Sequence, residues 1–381
     1  VSETGVSATG VAAPDDRWLA PRRTDLLPTE EPVSILDAAG GQREHPDYPV
    51  GLDDDGLREL YRFMVITRTV DDEALKLGRQ GQLAVYTSSL GQEAAQVGSA
   101  YALTDRDWIF PSYREHGAAR VRGLDPVEQL HHNRGTWVCG HDPVRYRFAP
   151  QTVSIATHLP HAAGLACAAR LAGDDLVVMA YFGDGATSEG DTHEAMNLAS
   201  VRAAPIVFFC QNNGWAISVP VADQLAGPSI AHRGIGYGVP GIRVDGNDVL
   251  ACYAVTRWAV ARARRGEGPT LIEALTYRME AHSGSDDPTR YRPPADLEVW
   301  GGRDPLIRYR NFLRGRGLLG AGFDTEVREE AAGMAAGLRA GIYDAPPGDP
   351  LEVFDHVYVD RTSELERQRD VMRREIADGQ C

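Results

Sequence analysis

Through DDGLRELYRFMVITRTVDDEALKLGRQG (54–81), Leu57, Leu60, Met64, Val70, Ala74 and Leu77 return roughly every three or four positions. That period predicts a long amphipathic helix that Gly81 helps to end, and LGQEAAQVGSAYAL predicts a second. DWIFPSYREHG reads as a short strand, a turn and a cluster of polar groups. DPVEQLHHNRG is helical in pattern, and WVCGHDPVRYRFAPQTVS is a loop long enough to expect a function or a partner. LPHAAGLACAARLAG predicts a helix of mostly small residues, which permits close packing.

The signal then changes to unbroken apolar runs. LVVMAYFG and PIVFFC, separated by a helix over 192–202, have the character of parallel strands buried on both faces. A helix near DVLACYAVTRWAVARARR and the run PTLIEALTY continue the alternation. Crossovers of helical length predict an open α/β domain over 54–279, its mainly parallel sheet flanked by helices. Residues 1–53, rich in Ala, Gly, Pro and acids, read as a tail that becomes an arm over a partner or domain surface, although plain disorder fits the first 25 equally well. Residues 280–381 begin with a loop, and WGGRDPLIRYRNFLRGRG and SELERQRDVMRREIAD make the remainder a helical appendage.

At 381 residues with 43% hydrophobic side chains the chain can bury a sizeable core. Its 54 acids against 39 Lys and Arg give a net charge of −15, which disfavours general binding to nucleic acid or an anionic membrane. An anionic ligand therefore needs local donors. The five cysteines, Cys139, Cys167, Cys210, Cys252 and Cys381, are odd in number and widely spaced, so a reducing cytoplasm fits better than a disulfide scaffold or a thiolate zinc site. His131, His132, Cys139 and His141 in HHNRGTWVCGH match no strong zinc spacing. The apolar runs are too short for a membrane span, and the first residues lack the pattern of a secretory or transit segment.

Asp184 and Asn213 each fall just past the carboxyl end of a buried run, one crossover helix apart, where open parallel sheets bind ligands. Magnesium takes compact oxygen ligation with few protein carboxylates. The Asp184 carboxylate, the Asn213 amide oxygen and a backbone carbonyl nearby, that of Trp215, would leave room for diphosphate oxygens and water. Gly183 and Gly185 let the backbone approach such a ligand, and amides opening the next helix could face its phosphates. Alone, GDG is also a tight strand-to-helix turn and NNG a common turn sequence; together, after two buried strands, they point to a metal–diphosphate clamp.

GDGATSEGD, with 26 residues (186–211) between GDG and the pair Asn212 and Asn213, resembles the signature of thiamine diphosphate enzymes. Over about 32–377 the chain most resembles the alpha subunit of the thiamine-dependent 2-oxo acid dehydrogenase component. The resemblance implies a thiamine diphosphate-binding fold, magnesium on Asp184, Asn213 and the Trp215 carbonyl, and cofactor contacts at Gly183, Gly185 and Ala186. SYREHG matches its diphosphate-binding element, so Tyr113 and Arg114 would hold phosphate oxygens, a role that suits the rigid donor fork of arginine. TYRMEAHSGSDDPTRYR resembles its mobile active-site loop. There His282 would lie near the cofactor phosphate and the reacting centre as the catalytic residue, and Ser283 aligns with a serine phosphorylated in mitochondrial members. Read by itself, a His among Ser, Gly and Asp leaves ligand contact, acid–base work and ordinary loop decoration all open.

Two positions depart from the pattern. Gln211 stands where branched-chain relatives can carry a phosphate-contacting arginine. SIATHLPHAAG resembles the family's segment near the pyrimidine ring and makes Ile155 a candidate support for the cofactor, but His158 replaces a glutamine associated with a monovalent-ion site in branched-chain relatives, which leaves binding of potassium open.

No second complete α/β domain is apparent that could hold the aminopyrimidine and its activating glutamate. The resemblance assigns that part to a separate beta subunit in an alpha2beta2 assembly. It implies decarboxylation of a 2-oxo acid and transfer of the acyl group to the lipoyl group of a partner acyltransferase. LEVFDHVYVDRTSELERQRDVMRREI and the SDD of the loop look more like branched-chain members, suggesting 3-methyl-2-oxobutanoate; pyruvate, and less so acetoin, are the alternatives.

Overall fold

The computed structural model describes residues 26–135, 139–346 and 348–379. Helix α1 (Asp54–Arg79) starts where the Asp53 carboxylate accepts from the Gly56 N–H, and it buries the stripe Leu57, Leu60, Met64, Val70, Ala74 and Leu77. Then come α2 (Glu93–Tyr101), strand β1 (Trp108–Phe110) and three short helices, α3 (His116–Val121), α4 (Pro126–Leu130) and α5 (Pro143–Tyr146). Strands and helices alternate from there: α6 (His158–Ala172), β2 (Val178–Gly183), α7 (Gly190–Val201) and β3 (Ile206–Asn212). A small hairpin, β4 (Trp215–Ala216) and β5 (Val219–Pro220), leads through the single turn α8 (Val221–Gln224) to β6 (Gly241–Asp245), α9 (Val249–Arg264) and β7 (Thr270–Leu275). Helices α10 (Pro294–Gly301), α11 (Pro305–Gly315), α12 (Ala321–Asp344) and α13 (Ser363–Ala377) complete the described chain.

Five strands form one parallel sheet in the order β1-β2-β3-β7-β6, flanked by helices on both faces. Because side chains alternate across a sheet, one apolar run serves two cores. In β3, Val207 and Phe209 join the cluster beneath α1, α2 and α9, while Ile206, Phe208 and Cys210 join the cluster against α6 and α7. Met179 and Tyr181 divide from Val178, Ala180 and Phe182 in the same way in β2.

β6 lies outside the sequence reading. Only Ile242 and Val244 are apolar there, with Arg243 between them, because β6 borders the sheet and lacks a neighbour on one side. The arm reaches this border: Val33 donates to the Arg243 carbonyl at 2.9 Å and accepts from the Asp245 N–H at 2.9 Å. At the opposite border Phe148, in the stretch read as loop, bridges Ile109 of β1. It is fully buried, and the Ile109 N–H donates to the Arg147 carbonyl at 2.9 Å.

Asp248 fastens the arm. One carboxylate oxygen accepts from the Ile35 and Leu36 N–H groups at 2.7 and 2.6 Å, and the other caps α9 through Leu250 and Ala251. Arg308 of α11 joins this group through Asp245 at 2.7 Å and the Asp37 carbonyl at 3.0 Å. Asp248→Ala removes a helix cap and strands two buried N–H groups, so it is expected to destabilise the protein by about 2 kcal/mol. Denaturant unfolding checks this, and an unchanged midpoint would mean that the arm is held elsewhere.

Helix α12 folds back along α1. Tyr61 donates to Asp324 at 2.6 Å, Arg62 pairs with Glu330, and Leu338 and Ile342 enter the same cluster as the α1 stripe. Among the described residues no helix is long and apolar enough to cross a membrane.

Candidate functional site

β2 and β3 are neighbours in register, with Gly183 opposite Gln211, so both chains leave the sheet side by side. Asp184 is the first residue past β2 and Asn213 the first past β3. They line a cavity of about 220 Å³ at the carboxyl end of the sheet. Tyr113, Arg114, Ile155, Gly183, Gly185, Ala186, Trp215 and His282 line it too, so every residue assigned to the site from the sequence meets in this one space.

Asp184 is almost fully buried, and its carboxylate is only half used. One oxygen accepts from Gln224 Nε2 at 3.1 Å, whereas Oδ1 has no partner. Burial pushes its carboxyl pKa up, against the opposing hydrogen bond from Gln224. A buried carboxylate oxygen without a hydrogen-bond donor, on a residue that lines a cavity, is suited to a cation. The turn carrying it packs tightly: a Cβ on Gly185 would stand 2.8 Å from the Cβ of Ala216.

Asn213 Oδ1 accepts from the Trp215 N–H at 3.3 Å, and Nδ2 donates to Gln92 Oε1 at 3.4 Å. Gly214, at φ 87°, makes the turn that lets the Trp215 backbone fold back beside Asn213. The Trp215 indole is fixed by donation to Tyr277 Oη at 3.1 Å, and its carbonyl takes only a long contact from Arg278, 3.4 Å. One carboxylate, one amide oxygen and one carbonyl, all hard oxygen donors, fit a magnesium ion better than a softer metal. Among the described residues no three His, Cys, Asp or Glu side chains converge on one point; Cys139 Sγ has His141 Nδ1 at 3.3 Å.

Across the cavity Arg114 is buried and pinned. Nη1 donates to the Ser88 carbonyl at 2.6 Å; Nη2 donates to the His282 carbonyl at 3.1 Å and faces His282 Nδ1 at 3.3 Å. The Tyr113 ring meets the His282 ring edge to face, with 6.0 Å between centroids. Burial, then the nearby Arg114 and Arg278, pushes the His282 pKa down to about 4, so the ring is neutral at pH 7. With a guanidinium donor facing Nδ1, the proton is assigned to Nε2. The loop backbone is held as well, the His282 N–H donating to Asp286 at 2.7 Å.

The two departures have structural accounts. Gln211 is engaged within the wall, donating to Glu115 at 2.7 Å and accepting from Gln96 at 2.9 Å. His158 donates Nε2 to the Tyr181 carbonyl at 2.6 Å, leaving Nδ1 buried without a partner. Burial lowers its pKa.

Three polar residues that support the site escaped the sequence reading. Glu115 is buried, accepts from Ser112 and from the Arg114 N–H, and has its pKa raised by burial. Gln92 lines the cavity. Asp71 on α1 accepts from Tyr86 at 2.6 Å, from the Ser89 N–H at 2.9 Å and from Ser88 Oγ, and so holds the segment whose Ser88 carbonyl anchors Arg114. A signal for Asp71 did exist. Counting 57, 60, 64, 67, 71, 74 and 77 along α1, Thr67 and Asp71 occupy stripe positions, and both are 1% exposed.

Residues 61–336 match the family model described as Dehydrogenase E1 component. Over 347 residues the chain is 50% identical to the 3-methyl-2-oxobutanoate dehydrogenase subunit alpha of Mycobacterium tuberculosis, covering 91% of this chain and 95% of that protein. It is 38% identical to the pyruvate dehydrogenase E1 component subunit alpha of Staphylococcus aureus, covering 90% of this chain and 93% of the other. Identity to the 2-oxoisovalerate dehydrogenase subunit alpha of Bacillus subtilis is 36% over 320 residues, covering 81% and 97% respectively.

Proposed function

The chain belongs to the dehydrogenase E1 component family as an alpha subunit of the 2-oxo acid dehydrogenase type, and from that premise we propose that it acts on branched-chain 2-oxo acids such as 3-methyl-2-oxobutanoate. It does so with a beta subunit, in an alpha2beta2 heterotetramer, and with thiamine diphosphate and magnesium. The acyl group passes to the lipoyl group of an acyltransferase component. The body over 54–279 carries the cofactor, and 280–381 contributes the loop with His282.

One observation carries the reading: buried Asp184, whose Oδ1 has no hydrogen-bond partner, lines the same cavity as Asn213 and Arg114. When bound, thiamine diphosphate supplies the electron sink needed for loss of carbon dioxide from a 2-oxo acid. The chain's own residues hold and orient that group. Asp184, Asn213 and the Trp215 carbonyl ligate the ion, Tyr113 and Arg114 face the phosphates, and Ile155, 41% exposed, supports the ring at the rim. His282 offers a neutral Nε2–H donor beside Arg114, so it can donate without adding a second full positive charge.

The branched-chain preference rests on the 50% identical relative; the 38% identical pyruvate relative supports the runner-up. Assayed with its beta subunit and a lipoyl domain, the complex is expected to favour 3-methyl-2-oxobutanoate over pyruvate by at least about tenfold in kcat/KM, as a pocket shaped for extra methyl groups does. Equal or higher kcat/KM for pyruvate, or turnover of acetoin alone, would replace the substrate assignment.

A further inference from the structure

Gln92 is fully buried at the N-terminal end of α2, and its side chain makes no capping hydrogen bond to that helix. Gly91 brings it there: at φ 90°, a Cβ at that position would lie 2.8 Å from the Tyr277 carbonyl, so the segment passes directly against the chain leaving β7.

A side-chain amide has one accepting end and one donating end, and its neighbours decide which faces where. The Trp215 N–H donates to Asn213 Oδ1, which turns Asn213 Nδ2 toward Gln92. Gln92 must meet that donor with Oε1, and Nε2 is left without an acceptor. The opposite orientation would set two donors against each other. Native folds retain few buried donors of this kind.

The same cavity is lined by the Asp184 carboxylate, whose Oδ1 also lacks a partner. One orphan is an anionic acceptor and the other a neutral donor. A ligand that satisfies both brings a cation to the first and an anionic oxygen to the second, as a metal–diphosphate pair does. An amide N–H₂ cannot ligate a cation, so Gln92 reads the phosphate and not the ion. Resting on the cofactor reading above, the geometry points to Gln92 as a further binding residue of the site: Nε2 donates to a diphosphate oxygen, while Oε1 keeps Asn213 turned toward the ion.

The test uses the full chain with its beta subunit, and magnesium with inorganic diphosphate as the probe, measured by calorimetry beside the melting temperature of the ligand-free complex. Gln92→Met keeps volume and removes both the Nε2 donor and the Oε1 that accepts from Asn213, so in the ligand-free protein one buried donor without an acceptor replaces another. It is expected to weaken magnesium–diphosphate and magnesium–thiamine diphosphate alike by about tenfold, the scale of a hydrogen bond to a charged acceptor, without lowering the melting temperature of the ligand-free complex. Should Gln92→Met fail to assemble, Gln92→Asn, which withdraws the donor by one methylene, takes its place and is held to both readings. Unchanged affinity overturns the assignment, as does an affinity loss that follows a fall in ligand-free melting temperature. Absence of magnesium–diphosphate binding by the wild type would sink the cofactor reading as well; wild-type binding with an unaffected variant would sink the role of Gln92 alone.

Discussion

Asp184→Ala is expected to weaken magnesium-dependent binding of thiamine diphosphate by more than about 100-fold, since losing even an outer partner of a metal ligand costs about 10–100-fold. The same substitution should leave the cofactor-free complex as stable as before, or more stable. Burial raises the Asp184 pKa above its ordinary value, so the folded protein binds that proton more tightly than the unfolded chain does. A raised carboxyl pKa destabilises at neutral pH, where the group is charged, and this cost fades as pH falls through the folded pKa. Removing the side chain removes the cost at pH 7. Calorimetry for binding and thermal unfolding for stability check both signs, and cofactor affinity equal to wild type would eliminate Asp184 as the ligand.

His282→Ala is expected to lower kcat of the assembled enzyme by about 100-fold, the lower range of what a positioned proton donor contributes. Its effect on cofactor affinity should be smaller than that of Asp184→Ala, because Arg114 keeps its anchor on the Ser88 carbonyl at 2.6 Å. Arg114 does lose the Nδ1 acceptor, so some weakening is expected. Steady-state turnover with the lipoyl domain, read beside cofactor titration, separates the two effects. Unchanged turnover would reduce His282 to a spacer in its loop.

The site was legible where chemistry and element boundaries coincide. Asp184 and Asn213 follow runs whose every side chain is buried, so the ends of β2 and β3 are visible in sequence and adjacency follows from a single crossover. The meeting of Arg114 with His282 is a different matter, because 168 residues separate them and no periodicity connects one to the other. Resemblance put both near the phosphates, and only coordinates reveal that one guanidinium binds the histidine's carbonyl and faces its ring.

β6 was hidden by its own position: a border strand needs fewer apolar residues, and Arg243 interrupts the two that it has. Gln92 looked like the ordinary opening of a helix. Asp71 was overlooked beside Asp72, although only Asp71 is buried and only Asp71 shares the phase of the α1 stripe.

Both margins of the parallel sheet are already engaged by the chain itself, Val33 against Val244 on one side and Phe148 against Ile109 on the other. Continuous strand addition from another molecule would have to displace one of these plugs first. A partner subunit would therefore meet helices, loops and the cavity rim of this chain, and sheet extension between copies would run into two residues that line no part of the cavity.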